Sequence, residues 1–321
     1  MQIHLPNSAF LGNINRFIRK YDPSDPQTLR ITADKKWISV HPVVLSMAAA
    51  LGTTMNSEKI TCERLEAKSR HYFERMGLFR ALGVSSDIQV TEHEPAGRFI
   101  PLTTINDSAG ITRFITDMIP LLHLKPMQAK PIEYTISELI RNVLEHAKSE
   151  HGAIVCAQYY KKSHRISIGI ADTGVGIWRT ITQSHPAATH LDAIRLALTP
   201  GITGTTSKEG GTESNAGAGL FFIKSIAKVN RNFFMIYSGD AMYKLLKEPR
   251  TRQHISLPAD PFRDRHSKEE RLPMWKGTVV GVDITLDETE EFSTLLDLIH
   301  DTYIKSVKER KRAKYRRPRF E

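Results

Sequence analysis

The chain has 321 residues, 40% hydrophobic and 25% charged, a normal globular composition with enough length for two ordinary domains or one large one. Its longest apolar stretch, around Leu45 to Leu51, is interrupted by Ser46 and falls far short of the ~20 residues that span a bilayer. The opening Met1-Gln2-Ile3-His4-Leu5-Pro6 lacks the pattern of a secretory signal, so a cytoplasmic protein with no membrane partner is expected.

In chain order, residues 1–95 alternate strand-like and helical runs, as a small α/β unit does. Leu29 to Val40 reads as one or two strands. Pro42 to Leu51 reads as a helix with Pro42 in its first turn, where the missing N–H costs nothing. Lys59 to Leu65 is another strand, and Ser69 to Leu82 a helix stopped by Gly83. Residues 96–130 form a connection, with a strand at Arg98–Leu102 and an amphipathic helix from about Ser108 to Leu122. Pro131 opens a long helix that runs to Ala147. Strands follow at Ala153–Tyr160 and Arg165–Ala171, the second alternating Ile166, Ile168 and Ile170 like a half-buried strand. Residues 173–216 are rich in Gly, Thr and Ser around one helix at about Ala187–Leu198. A Gly-led helix (Leu220–Val229) and strands at Phe233–Tyr237 and Gly277–Leu286 close a unit spanning 131–288. Polar, proline-bearing residues 240–275 read as an extended insertion, and residues 289–321 as a C-terminal helix and basic tail. Cys62 and Cys156 each fall in a strand, which points to buried free thiols.

Three clusters carry chemistry. On the helix from Pro131, Ile132, Ile136, Leu139, Ile140 and Val143 form one apolar stripe, and Glu138, Asn142 and His146 stack beside it. A carboxylate and an amide one turn apart suit nucleotide chemistry: the amide oxygen completes a Mg²⁺ shell and the carboxylate orients or deprotonates a nucleophile. The same spacing also describes the solvated face of an ordinary amphipathic helix. Next, Asp172-Thr173-Gly174-Val175-Gly176 ends a strand, where the carboxylate can accept from an exocyclic amine and the glycines let backbone approach a ligand. A simple turn has the same composition. Last, Asn215-Ala216-Gly217-Ala218-Gly219 opens a helix whose free N–H groups suit phosphate. Neither the Walker nor the dinucleotide fingerprint is present.

The order and spacing of these clusters resemble the GHKL superfamily, which includes histidine kinases, the large heat-shock chaperone ATPase, DNA gyrase, a mismatch-repair ATPase and the kinases that act as anti-sigma factors. The resemblance covers about 130–286 and implies an α/β sandwich: a mixed sheet with helices on one face, binding ATP and Mg²⁺. It makes Asn142 the metal ligand, Glu138 the candidate catalytic base and Asp172 the reader of the adenine amine. Gly174, Gly176, Gly217 and Gly219 would shape the pocket and phosphate cradle. Gly201 to Lys208 looks like the mobile lid, with Thr206, Ser207 and Lys208 as phosphate contacts, and Thr278 resembles a residue that helps hold adenine. Histidine kinases usually place Lys or Arg where Glu145 stands, which removes a phosphate contact from that position.

Residues 1–95 resemble a STAS-type domain, the fold of anti-anti-sigma factors, although the turn Val40-His41-Pro42-Val43 lacks the phosphoacceptor Ser of that family; Ser39 and Ser46 only flank it. These resemblances imply an ATP-binding regulatory protein acting as a nucleotide-dependent switch with slow hydrolysis, or alternatively a serine/threonine kinase directed at a STAS-like partner. A regulatory protein is the implied partner, and a second copy of the chain is another. The net charge of +10 is concentrated in Lys305 to Arg319, with nine basic residues and one acid. That run reads as a solvated, poorly ordered terminus, with nucleic acid as the rival reading.

Overall fold

The computed structural model describes residues 1–67, 69–86, 88, 99–206, 218–249, 251, 255–286 and 292–315. The N-terminal part contains β1 (Gln2–Leu5), β2 (Ser8–Ala9), the short helix α1 (Asn15–Ile18), β3 (Leu29–Ala33) and β4 (Ser39–Val40). Helix α2 (Pro42–Gly52), β5 (Ile60–Cys62), α3 (Arg70–Arg75) and α4 (Leu78–Leu82) follow. Strands β1, β3 and β5 pair in parallel in that spatial order, and β2 pairs in parallel with β4. One helix is expected over 69–82, but Gly77 adopts φ +74° and splits it into α3 and α4, since a left-handed residue cannot continue a right-handed helix.

Next come β6 (Phe99–Ile105), α5 (Ser108–Arg113) and α6 (Pro126–Asn142), the last running on as a π-helical turn over Val143–Ala147. Helix α6 starts one turn earlier than expected, with Pro126 rather than Pro131 at its opening; Pro131 lies inside the helix. Strands β7 (Ala153–Tyr160) and β8 (Arg165–Ala171) precede α7 (Gly176–Ile181), α8 (His190–Ala197) and α9 (Gly219–Val229). The chain ends with β9 (Phe234–Gly239), β10 (Ala241–Leu245), β11 (His266–Glu269), β12 (Trp275–Thr285) and α10 (Phe292–Tyr315).

These later strands form a seven-stranded sheet of order β11-β10-β9-β12-β8-β7-β6. Every neighbouring pair in it is antiparallel, so the mixed sheet expected from the family resemblance is not what forms here; among the described residues, parallel pairing is confined to the small N-terminal sheets. Residues 240–275 are not merely an extended insertion, because β10 and β11 lie within them and lengthen the sheet. Their Asp264 is buried with Lys224 and Lys228 of α9, which ties that segment to the helix.

Side chains leave this sheet in two directions, into two cores. Ile166, Ile168 and Ile170 of β8 join Val280, Val282, Phe234 and Ile236 in the core beneath α6 and α9. On the other face, Ile154, Cys156, Ala171, Met235, Tyr237 and Val279 share a core with Ile3, Leu5, Val43, Met47 and Phe73 of the N-terminal part. β8 is therefore buried on both faces, not half-buried. The small residues between its isoleucines mark the approach of α2, all of whose residues are buried. Ser46 donates to the Gly169 carbonyl at 2.9 Å, and the wholly buried Cys156 lies 3.4 Å from the Ser46 hydroxyl. Burial pushes the Cys156 thiol up to about 12; Cys62, also free, is only partly buried.

A Cβ added at Gly169 would stand 2.2 Å from the Val43 nitrogen and 2.4 Å from its Cα, both backbone atoms that cannot swing aside. Gly169→Ala is expected to destabilise the protein by about 1–3 kcal/mol through overpacking. Urea unfolding would measure this, with Gly12→Ala as a near-neutral control because the added carbon there meets only Phe233 at 3.5 Å.

The basic run also differs from expectation. Lys305 to Tyr315 is helical, because the apolar stripe of α10 extends to Val307, which is buried together with Ile299. Tyr303 packs against Phe222 with ring centroids 6.3 Å apart, and the Arg310 guanidinium donates to the Pro200 carbonyl. Residues 316–321 lie outside the described residues. No helix among the described residues is long and apolar enough to cross a membrane.

Candidate functional site

Between α6, the end of β8, α7 and the start of α9 lies a cavity of about 270 Å³. Helix α6 contributes Tyr134, Glu138, Leu139, Arg141 and Asn142, and its π turn adds Glu145, His146 and Ala147. A π turn widens the spacing of the last residues, a departure from α geometry that often accompanies functional sites. Its Ala147 carbonyl accepts from Val175 N–H at 2.7 Å, and a Cβ on Gly174 would fall 2.0 Å from the same oxygen. Gly174 does not line the cavity; it lets the loop after β8 lie against the end of α6.

Asp172 sits at the end of β8 and is 1% exposed. Its N–H donates to the Thr278 carbonyl at 2.9 Å, its own carbonyl accepts from the Trp275 indole at 3.0 Å, and its Oδ1 accepts from Gly174 N–H at 2.8 Å. Oδ2, also buried, has no partner. Burial pushes the carboxyl up to about 7, against the opposing hydrogen bond from Gly174 N–H. Gly277, at φ +109°, makes the adjoining turn possible, since a Cβ there would stand 2.2 Å from the Asp172 carbonyl oxygen. Gly176 faces the same wall, with Ser238 Oγ and the Gly277 carbonyl close to where its Cβ would be. Thr278 and Gly176 both line the cavity, and Ile170, Ile177, Ile181, Ile236 and Val280 supply its apolar surface.

At the other end, Asn142 Nδ2 donates to the Glu138 carbonyl at 2.8 Å, which leaves the amide Oδ1 available. Glu138 Oε1 accepts from Arg141 at 2.9 Å, and its Oε2 would lie 2.6 Å from a Cβ on Gly219. Burial raises the Glu138 carboxyl above its ordinary range, Arg141 opposes that, and Glu145 adds to it. Helix α9 opens at Gly219 with no side-chain cap, so its first N–H groups face this end of the cavity without a competing side chain. Among the described residues, no group of three or more His, Cys, Asp or Glu side chains is placed to hold a metal. A Mg²⁺ ion, which keeps several waters and takes only one or two protein ligands, does not require such a group.

Of the residues singled out from sequence, Glu138, Asn142, Asp172, Gly176, Gly219 and Thr278 line one cavity. Ser207, Lys208 and Gly217 lie outside the described residues. Thr206 does not line the cavity; Ile202, Thr203 and Gly204 do. His185 Nε2 lies 3.1 Å from both the Thr203 and Thr206 carbonyls, holding the root of the expected lid. Sequence reasoning missed Tyr134 and Arg141. Tyr134 precedes Glu138 by four residues and so shares the face of Glu138 and Asn142, a signal that was readable. The apolar walls gave none, because in sequence they look like any other core residues.

No curated protein matches the chain. Residues 103–230 match the family model of the histidine kinase-like ATPase domain, a range that takes in α6, Asp172 with its glycines, and α9. This stretch of the chain is thus a histidine kinase-like (GHKL-type) ATPase domain.

Proposed function

We propose that this cavity binds Mg·ATP and that the protein is a nucleotide-dependent switch with slow ATP hydrolysis. The observation that carries the reading is the unpartnered Oδ2 of the buried Asp172. A buried acceptor without a donor is costly, and an adenine exocyclic amine supplies the missing hydrogen bond. Ile170, Ile236 and Val280 offer the apolar surface a purine ring needs. The phosphates then extend toward the N-terminus of α9, where Asn142 would lend its amide oxygen to Mg²⁺. Glu138, with its raised pKa, is suited to orient a water and take its proton as the water attacks the terminal phosphorus and the bond to the bridging oxygen breaks, ADP leaving with that oxygen. The metal supplies charge neutralisation on the phosphate oxygens.

The N-terminal part, with its STAS-like alternation, is proposed as the regulatory half. Its contact with the sheet is direct: α2 caps through His41, whose Nδ1 accepts from Val43 N–H at 3.1 Å while Nε2 faces Asp283 at 3.4 Å. Incubation with γ-labelled ATP tests the output. Free labelled phosphate is the expected result. Acid-stable label on protein would replace hydrolysis with Ser/Thr transfer, and acid-labile label would indicate a phosphohistidine. No nucleotide binding at all would remove the reading.

A further inference from the structure

Any triphosphate entering this site meets an electrostatic problem. Glu138, Glu145 and Asp172 all line the cavity, and Mg·ATP remains anionic. Among the described residues that line it, Arg141 is the one Lys or Arg. It stands on the same turn of α6 as Glu138 and Asn142, at the end where α9 begins. Its side chain is 53% exposed and its ion pair with Glu138 is a single contact at 2.9 Å. Such a pair is weakly held and easily exchanged, because solvent competes for both groups. A guanidinium matches phosphate geometry in a two-point fork.

We infer that Arg141 is the residue that tells a triphosphate from a diphosphate in this pocket, exchanging its ion pair with Glu138 for the terminal phosphate. The inference rests on the nucleotide reading above and adds a role to a position that the family resemblance leaves unassigned. Arg141 thereby supplies the positive charge that the Glu145 position does not.

The test is equilibrium binding of ATP and ADP, each with Mg²⁺, to the full chain. Arg141→Gln is expected to weaken ATP by about tenfold or more, the loss of a charged hydrogen-bonding pair, while ADP changes by less than about twofold. Arg141→Lys, which keeps the charge but not the fork, should fall between. A loss shared equally by ATP and ADP, or ATP affinity untouched in Arg141→Gln, overturns the inference while leaving the pocket's nucleotide reading standing. If the unmodified protein bound neither nucleotide, that reading itself would fall, and this inference with it.

Discussion

Asp172→Ala is expected to weaken ATP binding by about ten- to a hundredfold in a protein that still folds, because a charged hydrogen bond in a buried site is worth roughly 1.5–3 kcal/mol. Calorimetric titration of the variant, with its circular dichroism as the folding control, measures this; unchanged affinity would remove Asp172 as the base reader. The same carboxyl gives a pH signature. Its pKa is about 7 in the nucleotide-free protein, so below neutrality Oδ2 is increasingly protonated and loses its value as an acceptor. ATP affinity should therefore fall as pH drops from 8 to 6, and that slope should vanish in Asp172→Ala.

Stability runs the opposite way. An ordinary Asp carboxyl ionises near 3.8, and here the folded protein holds the proton to about 7, so between those limits the folded state binds more protons than the unfolded one. Stability then declines as pH rises through that window, by at most about 1.4 kcal/mol per pH unit. Asp172→Asn removes the buried charge and should unfold at a higher urea concentration than the parent at pH 8, with the difference shrinking toward pH 5. A pocket acid that costs stability in the empty protein is the usual mark of a group kept for its ligand.

Glu138→Gln should lower ATP turnover by about 10²- to 10⁴-fold, the range of general base catalysis, while binding survives. Asn142→Ala should behave differently. Losing an amide oxygen from the metal shell should weaken ATP binding in Mg²⁺ and leave binding in EDTA little changed. Measured side by side, the two variants separate chemistry from metal-dependent binding. Normal turnover in both would return this face of α6 to an ordinary solvated surface.

Much of the site was legible without coordinates because its residues are fixed by local geometry. Residues four apart on a helix must share a face, so Glu138 and Asn142 point the same way wherever α6 is placed. An acid at the end of an apolar strand followed by two glycines must sit on a turn, and a glycine pair before a helical run leaves uncapped N–H groups. Those three local facts met at one cavity.

What the sequence could not supply was the partner of each surface. The pattern of β8, isoleucine alternating with Ser167, Gly169 and Ala171, looks the same whether the small face meets water or a helix. Only the approach of α2, with Val43 backbone against Gly169, decided that it is buried. The antiparallel pairing that sets β12 beside β8 joins residues more than a hundred positions apart, to which local periodicity is blind. Arg141 was invisible for the same reason. As a lone residue it reads as a solvated charge on a helix, and it became a site residue only when the fold brought α9 to the end of its cavity and left it the one Lys or Arg among the described residues lining it. Local sequence fixes which way a side chain points, and tertiary contact alone determines what it faces.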